Sequence, residues 1–215
     1  MNHIFLWFEL FCLVVAVVNY RTLKGSNLFW FIPFLVLTNV QEWGSRYGFL
    51  SQNGNNILSQ NIFTTIEFMF YTWLFSKEVH HLFLSKMIRI SGSILILAIL
   101  INLLFFQGIA PEFHSYTYLP GSILMILFAA ALFFNNFLGE EYVDIPRTPM
   151  FWISIGVMFF YAGMFSLYTM LLPAIKSGDY SFVNLYLILT NVFNIILYSC
   201  FIISFLCLRG RKLAT

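Results

Sequence analysis

Long apolar runs, separated by short polar stretches, dominate the chain. Seven runs stand out, at about 3–20, 27–43, 58–76, 88–107, 118–137, 150–172 and 182–208. A helix needs about 20 apolar residues to cross a bilayer. A membrane barrel would alternate apolar and polar residues along each strand, and these runs are continuous. The pattern therefore predicts an all-α polytopic membrane protein, a single seven-transmembrane-helix bundle over residues 1–215. The second run is short and contains Pro33. Thr148 and Pro149 supply an N-cap and first helical position for the sixth run, and Pro173 is expected to close it. Pro120 fits the first turn of the fifth.

Composition supports the same picture. Hydrophobic residues make up 60% of the chain, aromatics 20% and charged residues 9%, against about 25% charged in a soluble domain. So much apolar surface needs the lipid bilayer as its partner. A net charge of +2 is too small to point to nucleic acid. The opening MNHIFLWFELFCLVVAVVNYR has no basic leader and no small-residue cleavage site, and is expected to be a retained first span. Cys12, Cys200 and Cys207 all fall inside apolar runs, which gives no disulfide framework.

Lys and Arg then set the threading, because cytoplasmic loops carry the excess of positive charge. With the N-terminus outside, nine of the 11 basic residues lie in the inner segments. Only Arg46 and Lys176 lie outside, and the odd number of spans places the C-terminus in the cytoplasm. The bacterial cytoplasmic (inner) membrane is the expected location.

One stretch breaks the apolar rule: NIFTTIEFMFYTWLF, residues 61–75, carries Glu67 at its centre. Residues three or four apart share a helix face, which joins Gln60, Thr64, Glu67 and Tyr71 in one polar stripe. Glu9 shares a face of the first span with Cys12, Ala16 and Asn19. Asn39, Glu42 and Arg46 sit at the outer end of the second, and Glu42 and Arg46 are spaced as a helical ion pair. Asn102 falls toward the outer end of the fourth span. The sixth carries Ser154, Tyr161 and Tyr168, with Gly156 and Gly163 at the same interval. On the seventh, Asn184, Asn191, Asn194 and Tyr198 align. With about 1.5 Å of rise per residue, these groups cluster from the midplane outward. They predict an outward-facing polar pocket whose ligand-binding candidates are Glu9, Glu42, Arg46, Glu67, Tyr71, Asn102, Tyr161, Asn191 and Asn194. Asn and Ser stripes also join helices to one another. An acidic residue at a helix centre costs about 2.5–3.5 kcal/mol on insertion, which marks the glutamates as the functional candidates.

Familiar catalytic patterns are missing. His3, His80, His81 and His114 show no spacing that puts two metal ligands on one helix face. The pair Glu140-Glu141 stands too far from Arg147 for the diglutamate motif of membrane CAAX-type proteases. No nucleophile elbow or dinucleotide fingerprint occurs. No catalytic residue, metal site or cofactor is expected.

The E-F-x-F-Y stretch of Glu67 to Tyr71 and the TPMFWISIGVMFFY opening of the sixth span, with the span count and short loops, give the chain a resemblance. It resembles the seven-transmembrane N-terminal sensor regions of bacterial histidine kinases, in stand-alone form. No phosphoacceptor helix or ATP-binding domain follows Thr215, so the resemblance implies that a cytoplasmic signalling partner carries the output. The leading expectation is a sensory, receptor-like protein that binds a small molecule from the outer side. The alternatives are a small proton-coupled transporter using Glu67 and a non-catalytic scaffold of an envelope complex.

Overall fold

Helix is the only regular structure whose backbone groups are all satisfied within one segment, and a chain this apolar uses it throughout. The computed structural model describes residues 4–51, 55–109, 113–138, 145–177 and 180–213; His3, Glu140 and Glu141 lie outside them. Among the described residues there are no strands. The helices are α1 (Ile4–Val18), a single turn α2 (Tyr20–Leu23), α3 (Phe31–Arg46), α4 (Ile57–Glu78), α5 (Leu82–Phe105), α6 (Ser115–Leu138), α7 (Pro149–Ser177) and α8 (Tyr180–Leu213). Two 3₁₀ turns, Asn27–Trp30 and Ile145–Arg147, lead into α3 and α7. Gly25, at φ +93°, turns the chain between α2 and the first of them, a conformation open to glycine because it has no Cβ.

Four of the helices, α5 to α8, contain stretches long and apolar enough to cross a membrane. They mark the chain as an integral membrane protein. The outer face of α5 shows why lipid is needed: Ile94 is 61% and Leu97 58% exposed. Helices α1 and α3 have 15 and 16 residues, or about 22–24 Å of rise against about 30 Å of hydrocarbon. Helix α4 is long enough at 22 residues, but carries Gln60, Asn61, Thr64, Thr65 and Glu67.

Six helices close a ring. α1 packs on α3 and α8, α3 on α4, α4 on α6, α6 on α7, and α7 on α8, while α5 lies outside against α4 and α6. Successive long helices run in opposite directions, as contacts at the two ends show. At one end Trp7 meets Trp43 (5.4 Å between ring centres) and Phe113 meets Tyr168 (5.2 Å). At the other, Asn27 Nδ2 donates to Glu78 Oε1 (2.8 Å) and the His81 amide donates to Asn135 Oδ1 (2.9 Å). Arg46 lies at the first end. Arg21, Lys24, Lys77, Lys86, Arg89, Arg147 and Arg209 lie at or near the second.

The half of the ring toward the second end is filled with aromatic side chains. Phe31 meets Phe201, Phe205 and Phe70 edge-on, at 4.9, 5.5 and 5.0 Å. Phe34 stacks on Phe70 at 4.1 Å. Leu35, Leu74 and Phe75 complete this block and have no exposed surface.

Two prolines correct the sequence reading. Pro120 lies beyond the first turn of α6, and Pro173 lies inside α7, which continues to Ser177. Proline removes the donor to the carbonyl four residues earlier. Those carbonyls belong to Tyr116 and Thr169, both exposed residues, so the helices tolerate the loss near their ends.

Candidate functional site

Three polar faces meet inside the ring at the Arg46 end. α4 contributes Gln60, Thr64, Glu67 and Tyr71, a helical stripe aimed inward. α3 contributes Thr38, Gln41, Glu42 and Ser45, and α8 contributes Tyr186, Thr190, Asn194 and Tyr198. Aromatic side chains of α6, α7 and the segment before α6 (Tyr118, Tyr168, Phe160, Phe113) close the remaining wall. Together they bound a partly open cavity of about 200 Å³. It reaches from Ser45 and Asn56 at the Arg46 end inward to Tyr71, Phe34 and Phe201, where the aromatic block begins.

Two carboxylates face this space. Glu42 and Glu67 are half-buried, on adjoining walls and within electrostatic reach of each other. Tyr71, Tyr118 and Tyr161 surround Glu67. Tyr161 has no exposed surface; its hydroxyl faces Glu67 but makes no well-formed hydrogen bond. Among the described residues no lysine or arginine lines the cavity. Arg46 is exposed, and Glu42 and Arg46 do not form the helical ion pair expected from their spacing. Helix α3 does continue through Arg46. The guanidinium is exposed at the helix end, and the carboxylate points into the ring.

Glu9 sits behind this wall rather than in it. It is fully buried, neither carboxylate oxygen has a hydrogen-bond partner, and its electrostatic neighbours are Glu42, Cys12 and Tyr198. Asn102 is also outside the cavity. Its Nδ2 donates to Gln107 Oε1 (2.8 Å), and Gln107 Nε2 donates in turn to Ser115 Oγ (3.1 Å) and Phe113 O (3.2 Å). That network ties the end of α5 to the start of α6. Asn191 bonds back to Leu187 O at 2.6 Å and lies beside the cavity. Asn194, which bonds to Thr190 O at 2.9 Å, lines it. The structure thus gathers Glu42, Glu67, Tyr71 and Asn194 in one cavity, with Tyr161 against Glu67. It leaves Glu9, Arg46, Asn102 and Asn191 outside the lining. The chain matches no protein-family model, no curated protein and no solved structure.

The chemistry on offer is recognition. Among the described residues no three His, Cys, Asp or Glu side chains gather as metal ligands, and the three cysteines are free. Acidic oxygens, amides and tyrosine rings instead bound a small space of mixed polarity.

Several wall residues escaped the sequence reading. Thr38, Gln41 and Ser45 show the same three-to-four spacing as the α4 stripe, and that spacing was the available signal. Tyr186 heads a four-residue stripe with Thr190, Asn194 and Tyr198 that was likewise legible in the spacing, whereas Tyr118 is brought in by the packing of α6 on α4.

One more buried polar group lies at the same end, outside the helices that cross. His114 has no exposed surface, its Nδ1 pairs with Thr117 Oγ1 at 3.0 Å, and its Nε2 has no partner. Burial pulls its imidazole pKa down to about 4, against a smaller opposing effect of its backbone hydrogen bond.

Proposed function

We propose that this protein is a receptor-like membrane protein. In this reading it crosses the bacterial cytoplasmic membrane seven times, with its N-terminus outside. It binds a small molecule in the cavity from the outer side and passes the event to a cytoplasmic partner. The observation that carries this reading is the opposition of the two ends. The acidic cavity opens toward Arg46, and nine of the 11 basic residues belong to the segments at the other end, the side that positive charge marks as cytoplasmic.

Counting α1, α3 and α4 among the crossings rests on their place in the ring. α4 packs on α5 and α6, and α1 on α8, all helices long and apolar enough to span, while α3 closes the ring between α1 and α4. α3 and α4 fall short in apolar character because they supply the polar wall, where a helix face turned from lipid is free to be polar. The resemblance to stand-alone sensor regions points the same way.

A route for coupling follows from α8. It has 34 residues, a rise of about 50 Å. It carries Thr190 and Asn194 in the cavity and Arg209 at the opposite end. Its contact with α7 is the most extensive in the molecule. At Gly156 a Cβ would stand 2.9 Å from Cys200 Cβ, and at Gly163 it would meet the Phe193 ring. A ligand shifts such a pair only if it favours one packing over the other. The aromatic block beneath Tyr71 disfavours transport, since a carrier needs a path to the far side.

Cysteine labelling tests the reading. In a chain whose three cysteines are replaced, Ser45→Cys should react with an impermeant maleimide added outside intact cells, and Lys77→Cys should not. The reverse pattern removes the proposed orientation and the outer access with it.

A further inference from the structure

Resting on the reading of this cavity as a ligand site, we infer that its ligand is a small organic cation, an amine or quaternary ammonium carried on an apolar body. Glu42 and Glu67 both line the cavity, and among the described residues no basic side chain lines it with them. Tyr71, Tyr118, Tyr168, Tyr186 and Tyr198 stand around the same space. Aromatic faces attract a desolvated cation, and a carboxylate strengthens a hydrogen bond from a primary ammonium group. An anion would meet two carboxylates with no basic group among the described lining residues to offset them.

A second observation concerns Tyr161. It has no exposed surface, and its hydroxyl faces Glu67 without a well-formed hydrogen bond. A buried hydroxyl left this way is costly, and the Glu67 carboxylate is not locked to it, so its oxygens can accept from a ligand in the cavity.

Inorganic cations fit less well. Calcium takes six to eight oxygen ligands, and magnesium requires an octahedral set; here the cavity offers two carboxylates on different helices. The space of about 200 Å³ lies below the ~300–1,000 Å³ of sites for drug-sized molecules, which limits the ligand to a compact amine.

The test uses the full chain in nanodiscs and isothermal titration with three probes of one carbon frame: phenethylamine, 2-phenylethanol and phenylacetate. Choline and its neutral isostere 3,3-dimethylbutan-1-ol form a second set. Within each set the cation should bind at least about tenfold more tightly than its neutral partner, as expected for a charge-assisted hydrogen bond from the primary ammonium and, for choline, whose nitrogen has no N–H, for Coulomb and cation–π attraction. Glu67→Gln should remove that advantage and leave the weak binding of the alcohols unchanged. Glu42→Gln serves as a second variant, and gel filtration confirms the fold of each. If an alcohol or phenylacetate binds as tightly as the amine, or the substitutions leave amine affinity unchanged, the cation assignment is overturned and the ligand site survives. If no probe binds at millimolar concentration, both fall.

Discussion

Asn61 Oδ1 accepts the backbone N–H of His114 at 3.1 Å, fixing the segment before α6 against the first turns of α4. The amide nitrogen of Asn61 donates to Ile109 O at 2.9 Å, and the residue has no exposed surface. One side chain therefore satisfies two backbone groups of a neighbouring loop and holds the wall that carries Phe113 and Tyr118. Asn61→Ala should leave both groups without that partner, at about 1–3 kcal/mol each. Thermal unfolding in detergent should show the loss, and a variant as stable as the parent would refute this role.

His114 makes the same region sensitive to pH. Its folded pKa of about 4 lies below the ordinary 6.5, so the fold favours the neutral ring. The unfolded chain binds the extra proton first. The stabilisation is therefore complete above about pH 6.5 and is lost as pH falls from there toward 4. The total is of order 3 kcal/mol, from about 1.4 kcal/mol per pKa unit. His114→Gln should flatten this part of the stability–pH curve; an unchanged slope would show that another group is responsible.

Helix α7 approaches α8 through glycine. The Cβ of an alanine at Gly156 would stand 2.9 Å from Cys200 Cβ and 3.4 Å from the Leu197 carbonyl oxygen. Backbone on one side and a short side chain on the other leave little room to yield. Gly156→Leu should cost about 1–3 kcal/mol by overpacking. Gly210, with nothing within 4 Å of its would-be Cβ, is the control, and Gly210→Ala should stay within about 0.5 kcal/mol of the parent. Equal effects at the two sites would remove the close-packing argument.

Glu9 separates structural from functional acids. It is sealed behind the wall with neither oxygen partnered. A buried polar group with no hydrogen-bond partner is costly, and an apolar side chain of similar volume removes that cost. Glu9→Met should therefore melt at the same temperature or higher. A marked fall would mean that the carboxyl is held by interactions the unpartnered oxygens do not suggest.

How far the sequence foretells this arrangement depends on the distance over which its information acts. The α4 stripe of Gln60, Thr64, Glu67 and Tyr71 is legible because it obeys the helical period within one segment, and it does line the cavity. The face of α8 is harder to read. A stripe drawn through Asn184 and Asn191 is displaced by about 60° around the helix from Asn194, at 3.6 residues per turn. Asn184 is exposed and Asn191 lies at the edge of the cavity. Asn102 looks like a pocket amide by depth alone, yet it serves Gln107 and the loop that follows α5. Tyr118 has no local periodic signal, because its partner Glu67 lies on another helix and only the packing of α6 on α4 joins them. The two internal prolines were misread for a local reason: each costs its helix one backbone hydrogen bond near an end, at exposed residues, where a helix need not end.

The floor of the cavity makes the last prediction. Phe201 lines its inner end and, with no exposed surface, packs edge-on against Phe31 at 4.9 Å. It belongs to both the pocket and the block that separates it from the basic end. Phe201→Ala should cost about 3–5 kcal/mol, from lost burial and the space left behind, and should extend the cavity downward. Bulkier probes should then gain affinity relative to compact ones, while Phe205→Ala, one turn deeper and absent from the lining, should weaken the fold without changing that preference. Paired titrations of each variant with a short and a long member of one homologous series would decide it. An unchanged size preference in Phe201→Ala would show that the floor lies elsewhere. A shift in both variants would show that the block is open enough to revive a path through the ring.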